Sequence, residues 1–316
     1  MRVAIVGTYI FVSNATEARL RSLGCEVRQA LVDPTGDHLV AESTGVDVLV
    51  TWGRVDTVTA HRLQAAGLRL LVLMSTGAEE SIDAESLDIL SAGGVLVCHT
   101  PGYSTTAVAE LALTLALSTI RKLLPGLPVA SVPELQGRKI SGSTCGVFGL
   151  GAIGTAIVDR MAALGTHVLA TTRDPGRGRA VAAEVEFVDL KGLFERSDIV
   201  FITAAHNEGT RGVIDGQHVE ALPEQGIVVN VARPEILAPV SVLAALGRRP
   251  DVRLAIDGDA EIRDRAPWKS IAAMPNVVWT PHIGFNTGRS LLRCTKVVAD
   301  VISAFMAGSP IYEVAP

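Results

Sequence analysis

Ten short apolar runs, separated by turns and by stretches of helical spacing, constrain this 316-residue chain more than any other feature. They are Arg2–Val6, Val46–Thr51, Leu70–Met74, Val95–Cys98, Thr144–Phe148, His167–Thr171, Ile199–Ile202, Ile227–Val231, Arg253–Ile256 and Val277–Trp279. Runs that are apolar at nearly every position belong to strands covered on both faces, the condition of a parallel sheet. Parallel neighbours need a crossover, usually a helix, and helical patterns lie between these runs. Ten strands are many for one sheet. The expected architecture is α/β, with two doubly wound parallel-sheet domains. A Pro/Gly-rich stretch, Leu124-Pro125-Gly126-Leu127-Pro128, closes a long apolar helix that runs from Val108. A last helix, Arg289 to Met306, follows the final run.

Within this pattern, Gly149-x-Gly151-x-x-Gly154 stands directly after an apolar strand and at the start of a helix, with a second strand at His167–Thr171. Three glycines so placed allow a tight turn, a close approach of backbone to a pyrophosphate, and close helix–strand packing. The helix N-terminus, at Ala152 and Ile153, offers unpaired N–H groups and partial positive charge to the phosphates. The end of the second strand selects the cofactor. An acidic residue there marks NAD, but this chain reads Thr171-Thr172-Arg173-Asp174. A hydroxyl at Thr172 and the guanidinium of Arg173 suit a ribose 2′-phosphate, which favours NADP. Asp174, two residues out of register, leaves NAD open.

Three further stretches carry chemistry. VNVARPEIL presents Arg233 at the end of a strand, AIDGDAEIRDRAPW presents Asp257, Asp259 and Glu261 past the next, and TPHIGFNT presents His282 past the last. In open α/β sheets ligands bind outside the carboxyl ends of the strands, so all three point to the crevice of the glycine turn. A small 2-oxo acid needs its carboxylate held, its ketone polarised and a proton delivered as hydride reaches carbon. Arg233 can grip a carboxylate with two parallel hydrogen bonds and polarise the adjacent carbonyl. Histidine changes charge near neutral pH, so His282 can give the proton or take it back. A carboxylate on the far ring nitrogen would fix the tautomer, and Glu261 is the expected partner.

Composition closes off other classes. Charged residues make up 19% and the net charge is −5, with no basic block of the kind nucleic-acid binding needs. The apolar run at Val108–Leu124 is interrupted by Glu110 and too short for a bilayer. The apolar N-terminus reads as a first strand rather than a leader. Cys25, Cys98, Cys145 and Cys294 share no C-x-x-C spacing, so neither a disulfide framework nor a metal site is expected. They suit a reducing cytoplasm.

Taken in order, the glycine turn, N-x-A-R, the acidic stretch ending in proline and T-P-H-I-G resemble the D-isomer-specific 2-hydroxyacid dehydrogenase family. STGAEESID (Ser75–Asp83) resembles that family's glycine turn of the substrate domain, and PGYSTTAVAELALTLALSTIR (Pro101–Arg121) resembles its interdomain helix. The resemblance implies a Rossmann dinucleotide-binding domain, residues 101–288, inserted in a flavodoxin-like substrate domain made of residues 1–100 and 289–316. It implies backbone contacts from Thr76 and Gly77 to the substrate carboxylate, and cofactor contacts from Ala204, Thr210, Val231, Ala232 and Asp257. It also implies a homodimer through the helix after Pro101, and, with the sequence stopping at Pro316, no added regulatory domain. The expected activity is NAD(P)H-dependent reduction of a small 2-oxo acid to the D-2-hydroxy acid, or the reverse.

The chain departs from that family at three places. Pro234 follows the arginine where glycine is usual. The acidic stretch is one residue short, placing Ile262 where the glutamate is expected, with Glu261 beside it. Thr203-Ala204-Ala205 replaces a His-x-Pro. A non-catalytic dinucleotide sensor of corepressor type, or a formate- or phosphite-type dehydrogenase, are the alternatives these leave. Specificity is expected from Tyr9–Asn14, Trp52–Arg54, Ala78–Glu80, Tyr103 and Phe285, where Arg54 is a candidate for a second anionic group.

Overall fold

A computed structural model describes residues 1–7, 12–79, 81–123, 136–173 and 183–315. The expectations placed on Tyr9, Glu80, Leu124–Pro128 and Asp174 lie outside these residues. The chain forms two compact units, Met1–Ser104 with Thr287–Pro316, and Thr105–Asn286.

The first unit is built on a five-stranded parallel sheet in the order β2-β1-β3-β4-β5. Its strands are β1 (Arg2–Gly7), β2 (Glu26–Leu31), β3 (Val48–Thr51), β4 (Leu70–Leu73) and β5 (Leu96–His99). This is the doubly wound order of flavodoxin-like sheets. Side chains of β3 and β4 are buried on both faces, as continuous apolar runs require. β2 differs: only Val27 of Glu26–Leu31 is buried. It lies at the sheet's edge and was not expected, because a polar edge strand carries no apolar run. The final helix, α1 (Gly288–Met306), begins where the Thr287 hydroxyl accepts a bond from Ser290 N. It belongs to this unit through its buried face, Cys294, Val298, Ala299, Val301 and Ile302, and through a Thr16–Thr295 hydroxyl pair at 3.2 Å. The residues beyond it return to β5, where Val314 N donates to Val97 O (2.9 Å) and His99 N donates to Tyr312 O (3.1 Å).

The second unit is a seven-stranded parallel sheet in the order β12-β11-β10-β9-β6-β7-β8. Its strands are β6 (Thr144–Phe148), β7 (His167–Thr171), β8 (Glu186–Phe187), β9 (Ile199–Ile202), β10 (Ile227–Asn230), β11 (Arg253–Asp257) and β12 (Val277–Thr280). β7 and β8 lie to one side of β6 and β9 to β12 to the other, so the order reverses between the neighbours β6 and β9. That switch point is the dinucleotide crevice of the Rossmann arrangement. One apolar layer covers each face. On one side Val108, Ala112, Leu115, Ile157 and Met161 pack on Cys145, Val147 and Phe201. On the other, Leu193, Phe194, Val219, Leu246 and Trp268 pack on Val200, Ile202 and Leu254. The helix expected from Val108 to Leu124 runs from Thr105 to Ile120. It ends where Lys122 takes a left-handed backbone (φ 54).

Candidate active site

The glycine turn joins β6 to the helix Ala152–Ala163. Gly149 has φ +100, and a Cβ there would lie 2.6 Å from the backbone of Ala204. A Cβ on Gly154 would lie 2.0 Å from the carbonyl oxygen of Gly149. A Cβ on Gly151 would meet nothing within 4 Å. The outer two glycines are thus demanded by packing and the middle one by nothing in the chain. Open space above the middle glycine, at a helix start whose N–H groups have no intrahelical partner, is what a pyrophosphate needs. The residues present therefore fit a dinucleotide. Thr203, part of the segment that departs from the family pattern, braces the turn by donating from Oγ1 to Gly149 O at 2.6 Å. The other expected cofactor residues lie on the same edge. Thr172 and Arg173 follow β7, with Arg173 exposed. Thr210 Oγ1 donates to Ala205 O at 2.7 Å, folding the loop after β9. Val231 and Ala232 follow β10.

Arg233 sits three residues past the end of β10, half-buried, in extended geometry (φ −133, ψ 140). Pro234 enforces that geometry and opens a short 3-10 turn, Pro234–Ile236, at a position where an amide hydrogen is not needed. Asn230, fully buried, explains the N-x-A-R spacing. Its Oδ1 accepts from Ala232 N (3.0 Å) and its Nδ2 donates to Arg233 O (2.8 Å), so one side chain holds both ends of the turn. Nothing in the sequence reading had assigned it a task.

Asp257 ends β11, and only 4% of it is exposed. Its Oδ1 accepts from Thr280 Oγ1 (2.6 Å) and Ile283 N (2.9 Å), and its Oδ2 from Gly284 N (2.8 Å). Expected as a cofactor contact, it spends both oxygens on the T-P-H-I-G turn. Gly284 is glycine because a Cβ would press to 2.9 Å on Asp257 Oδ2 and 3.3 Å on Val108. The turn so held carries His282 in a left-handed conformation, φ 51, which a non-glycine residue keeps only when its surroundings fix it.

The imidazole partner is where the sequence expectation needs correction. His282 Nδ1 donates to Asp259 Oδ1 at 2.7 Å. Glu261 lies in the short helix Ala260–Arg263, is exposed, and faces Arg265 at 3.7 Å. Counting residues from Asp257 missed this because the chain turns into the helix immediately after Asp259. The residue at the turn, rather than one a helical step later, faces the histidine. The bond from His282 holds the Asp259 carboxyl below its ordinary value against the opposing effect of burial, with the charges of His282 and Arg233 adding to it. Phe285 stands edge-on to the imidazole, ring centroids 5.6 Å apart.

Arg233, Asp259 and His282 thus follow three adjacent strands, β10, β11 and β12, at the carboxyl edge that also carries the glycine turn after β6. In the first unit, considered alone, Thr76 and Gly77 follow β4. Thr76 O accepts from His99 Nδ1 (3.0 Å), and Thr76 Oγ1 lies 3.2 Å from Ser104 Oγ. Among the described residues no three His, Cys, Asp or Glu side chains are grouped to hold a metal ion, and no helix is long and apolar enough to cross a membrane.

A seven-stranded Rossmann sheet with arginine and a histidine–carboxylate pair at the cofactor edge defines a dinucleotide-dependent oxidoreductase. The model of the D-isomer specific 2-hydroxyacid dehydrogenase NAD-binding domain matches residues 126–284, half of the chain, and the protein belongs to that family. A Staphylococcus epidermidis protein named as a 2-hydroxyacid dehydrogenase is 28% identical over 299 residues, covering 85% of this chain and 92% of that one. D-3-phosphoglycerate dehydrogenase of Mycobacterium leprae is 27% identical over 305 residues, 95% of this chain and 57% of that one. The solved structure of D-lactate dehydrogenase from Escherichia coli superposes with a TM-score of 0.84 at 22% identity, with both chains fully covered, a likeness of fold.

Proposed function

We propose that the protein reduces a small 2-oxo acid to the D-2-hydroxy acid, or runs the reverse, with Arg233, His282 and Asp259 as its working residues. The observation that carries this reading is the 2.7 Å His282–Asp259 bond, made between the segments that follow β11 and β12, with Arg233 following the neighbouring β10. A bound nicotinamide dinucleotide supplies or accepts the hydride. Arg233 binds the substrate carboxylate and draws charge from the neighbouring carbonyl. With Nδ1 committed to Asp259, the imidazole presents Nε2 for the proton that moves to or from the substrate oxygen. Asp259 stabilises the cationic ring while that proton is in place. Thr76 and Gly77 are proposed to add backbone N–H contacts to the carboxylate, which makes the first unit the substrate domain and the second the dinucleotide domain.

Thr172 and Arg173 favour NADP over NAD on the same charge argument as above. A homodimer through the helix Thr105–Ile120 and a cytoplasmic location complete the proposal. Light scattering checks the first, and fractionation the second. The sensor reading drew its support from a displaced relay acid, and Asp259 at hydrogen-bond distance takes that support away.

The test is loss of NADPH or NADH absorbance against a panel of 2-oxo acids, with Arg233→Gln and His282→Asn as controls. Turnover that both variants reduce by about 10² or more supports the reading. Cofactor binding without turnover of any panel member rejects it.

A further inference from the structure

We propose that Trp279 is a positioning residue for the Asp259–His282 pair, acting with Pro234 and Gly258 as a single wedge. This rests on the catalytic reading of that pair given above.

The sheet itself does not set the distance between these two side chains. β11 and β12 pair in parallel with Ile256 opposite Trp279 and Asp257 opposite Thr280, and the ladder stops there. Asp259 and His282 are each two residues beyond it, on segments that leave the sheet. Gly258 is the bridge. Its N–H donates to Thr280 O at 3.1 Å, and its carbonyl accepts from Trp279 Nε1 at 2.8 Å. Both polar groups of the residue before Asp259 are therefore tied to the strand that leads into His282. The Gly258 carbonyl lies in the peptide plane that ends at Asp259 Cα, so fixing it fixes where the Asp259 side chain starts.

The wedge also has a steric half. A Cβ on Gly258 would stand 2.7 Å from Pro234 Cγ and 3.1 Å from Trp279 Cζ2. Gly258 is gripped between a proline ring that follows Arg233 and an indole that precedes His282. The indole is itself held by Trp268, edge-on with ring centroids 5.9 Å apart, and Trp268 is buried in the core. Pro234, which looked like an isolated departure from the family pattern, thus fits against the glycine that permits it. Through this contact the arginine's turn and the acid's turn are packed as one body.

The experiment needs no substrate. Nitrogen-15-labelled histidine reports the His282 Nδ1–H bond to Asp259 by NMR as a downfield imidazole proton at one fixed pH, with the signal assigned by its loss in His282→Asn. Asp259→Asn sets the reference and should move that proton upfield by about 1 ppm, because a neutral amide oxygen accepts more weakly than a carboxylate. Trp279→Phe keeps the ring and removes the N–H. Gly258→Ala crowds the proline. Each should move the signal in the same direction as Asp259→Asn, by about a third of its size or more. The double variant Gly258→Ala/Pro234→Gly should recover part of the shift, a coupling that independent sites do not show. NADH affinity, read by fluorescence, should stay within about twofold of the parent protein. A shift in Asp259→Asn with none in Trp279→Phe and Gly258→Ala overturns the wedge alone. No shift in Asp259→Asn overturns the paired reading, and the wedge with it.

Discussion

Asp259 Oδ1 accepts the Nδ1 proton of His282 across 2.7 Å, while Glu261, two residues later, keeps 87% of its side chain exposed. Replacing the two acids should separate them cleanly. Asp259→Asn is expected to lower kcat by about tenfold or more, since it leaves the imidazole without its counter-charge. Glu261→Gln should stay within about twofold. Steady-state rates on the best panel substrate measure both, and comparable losses in the two variants would contradict the assignment.

The glycines of the turn should fail in different ways. In Gly154→Ala the added methyl meets the Gly149 carbonyl at 2.0 Å, so the backbone must shift, at a cost of about 1–3 kcal/mol. Thermal melting followed by circular dichroism should show that loss. Gly151→Ala meets nothing in the chain and should melt with the parent protein, yet bind dinucleotide at least about tenfold more weakly. A Gly151→Ala protein that binds normally would remove the pyrophosphate from this turn.

The proposed preference for NADPH rests on Arg173, exposed just beyond β7. Arg173→Ala should cut the NADPH-over-NADH preference in kcat/KM by about tenfold, chiefly through KM, because one charge-assisted contact is lost. An unchanged ratio would transfer selection to another residue.

Two of the carboxyls lowered in the fold bear on its acid stability. Arg249 holds Asp251 far below the usual carboxylate range through a 2.8 Å bond, and His282 lowers Asp259. A carboxyl lowered in the folded state stabilises the fold above its unfolded value, about pH 4, and loses that contribution as pH falls toward the folded value. Urea midpoints of the parent protein should therefore drop between about pH 4 and pH 2, and Asp251→Asn should flatten that slope. A parallel slope in the variant would place the acid sensitivity elsewhere.

Where a segment's fate is settled by burial on two faces, the sequence declared it. β3, β4, β9 and β10 read as strands because every residue in them is buried. β2 and β8 were missed for the opposite reason. They are edge strands, and Glu186 and Phe187 are both exposed. The glycine turn was legible down to its three positions because the outer two answer to packing within the chain and the middle one leaves open space of the kind a pyrophosphate needs. Arg233 and His282 were legible as strand-end residues. Their supports were not, since Asn230, Thr203 and Trp279 act through hydrogen bonds to backbone atoms that only the folded path brings near. Asp259 lay in view as the first acid past the end of β11, but spacing alone ranked it behind Glu261.

The left-handed backbone at His282 governs which replacements can serve as clean controls. Glycine and asparagine enter that region at little cost, whereas valine, isoleucine or threonine would distort the loop. An asparagine at 282 silences proton exchange while preserving the local chain path. A branched residue there would report a damaged scaffold instead of a missing acid.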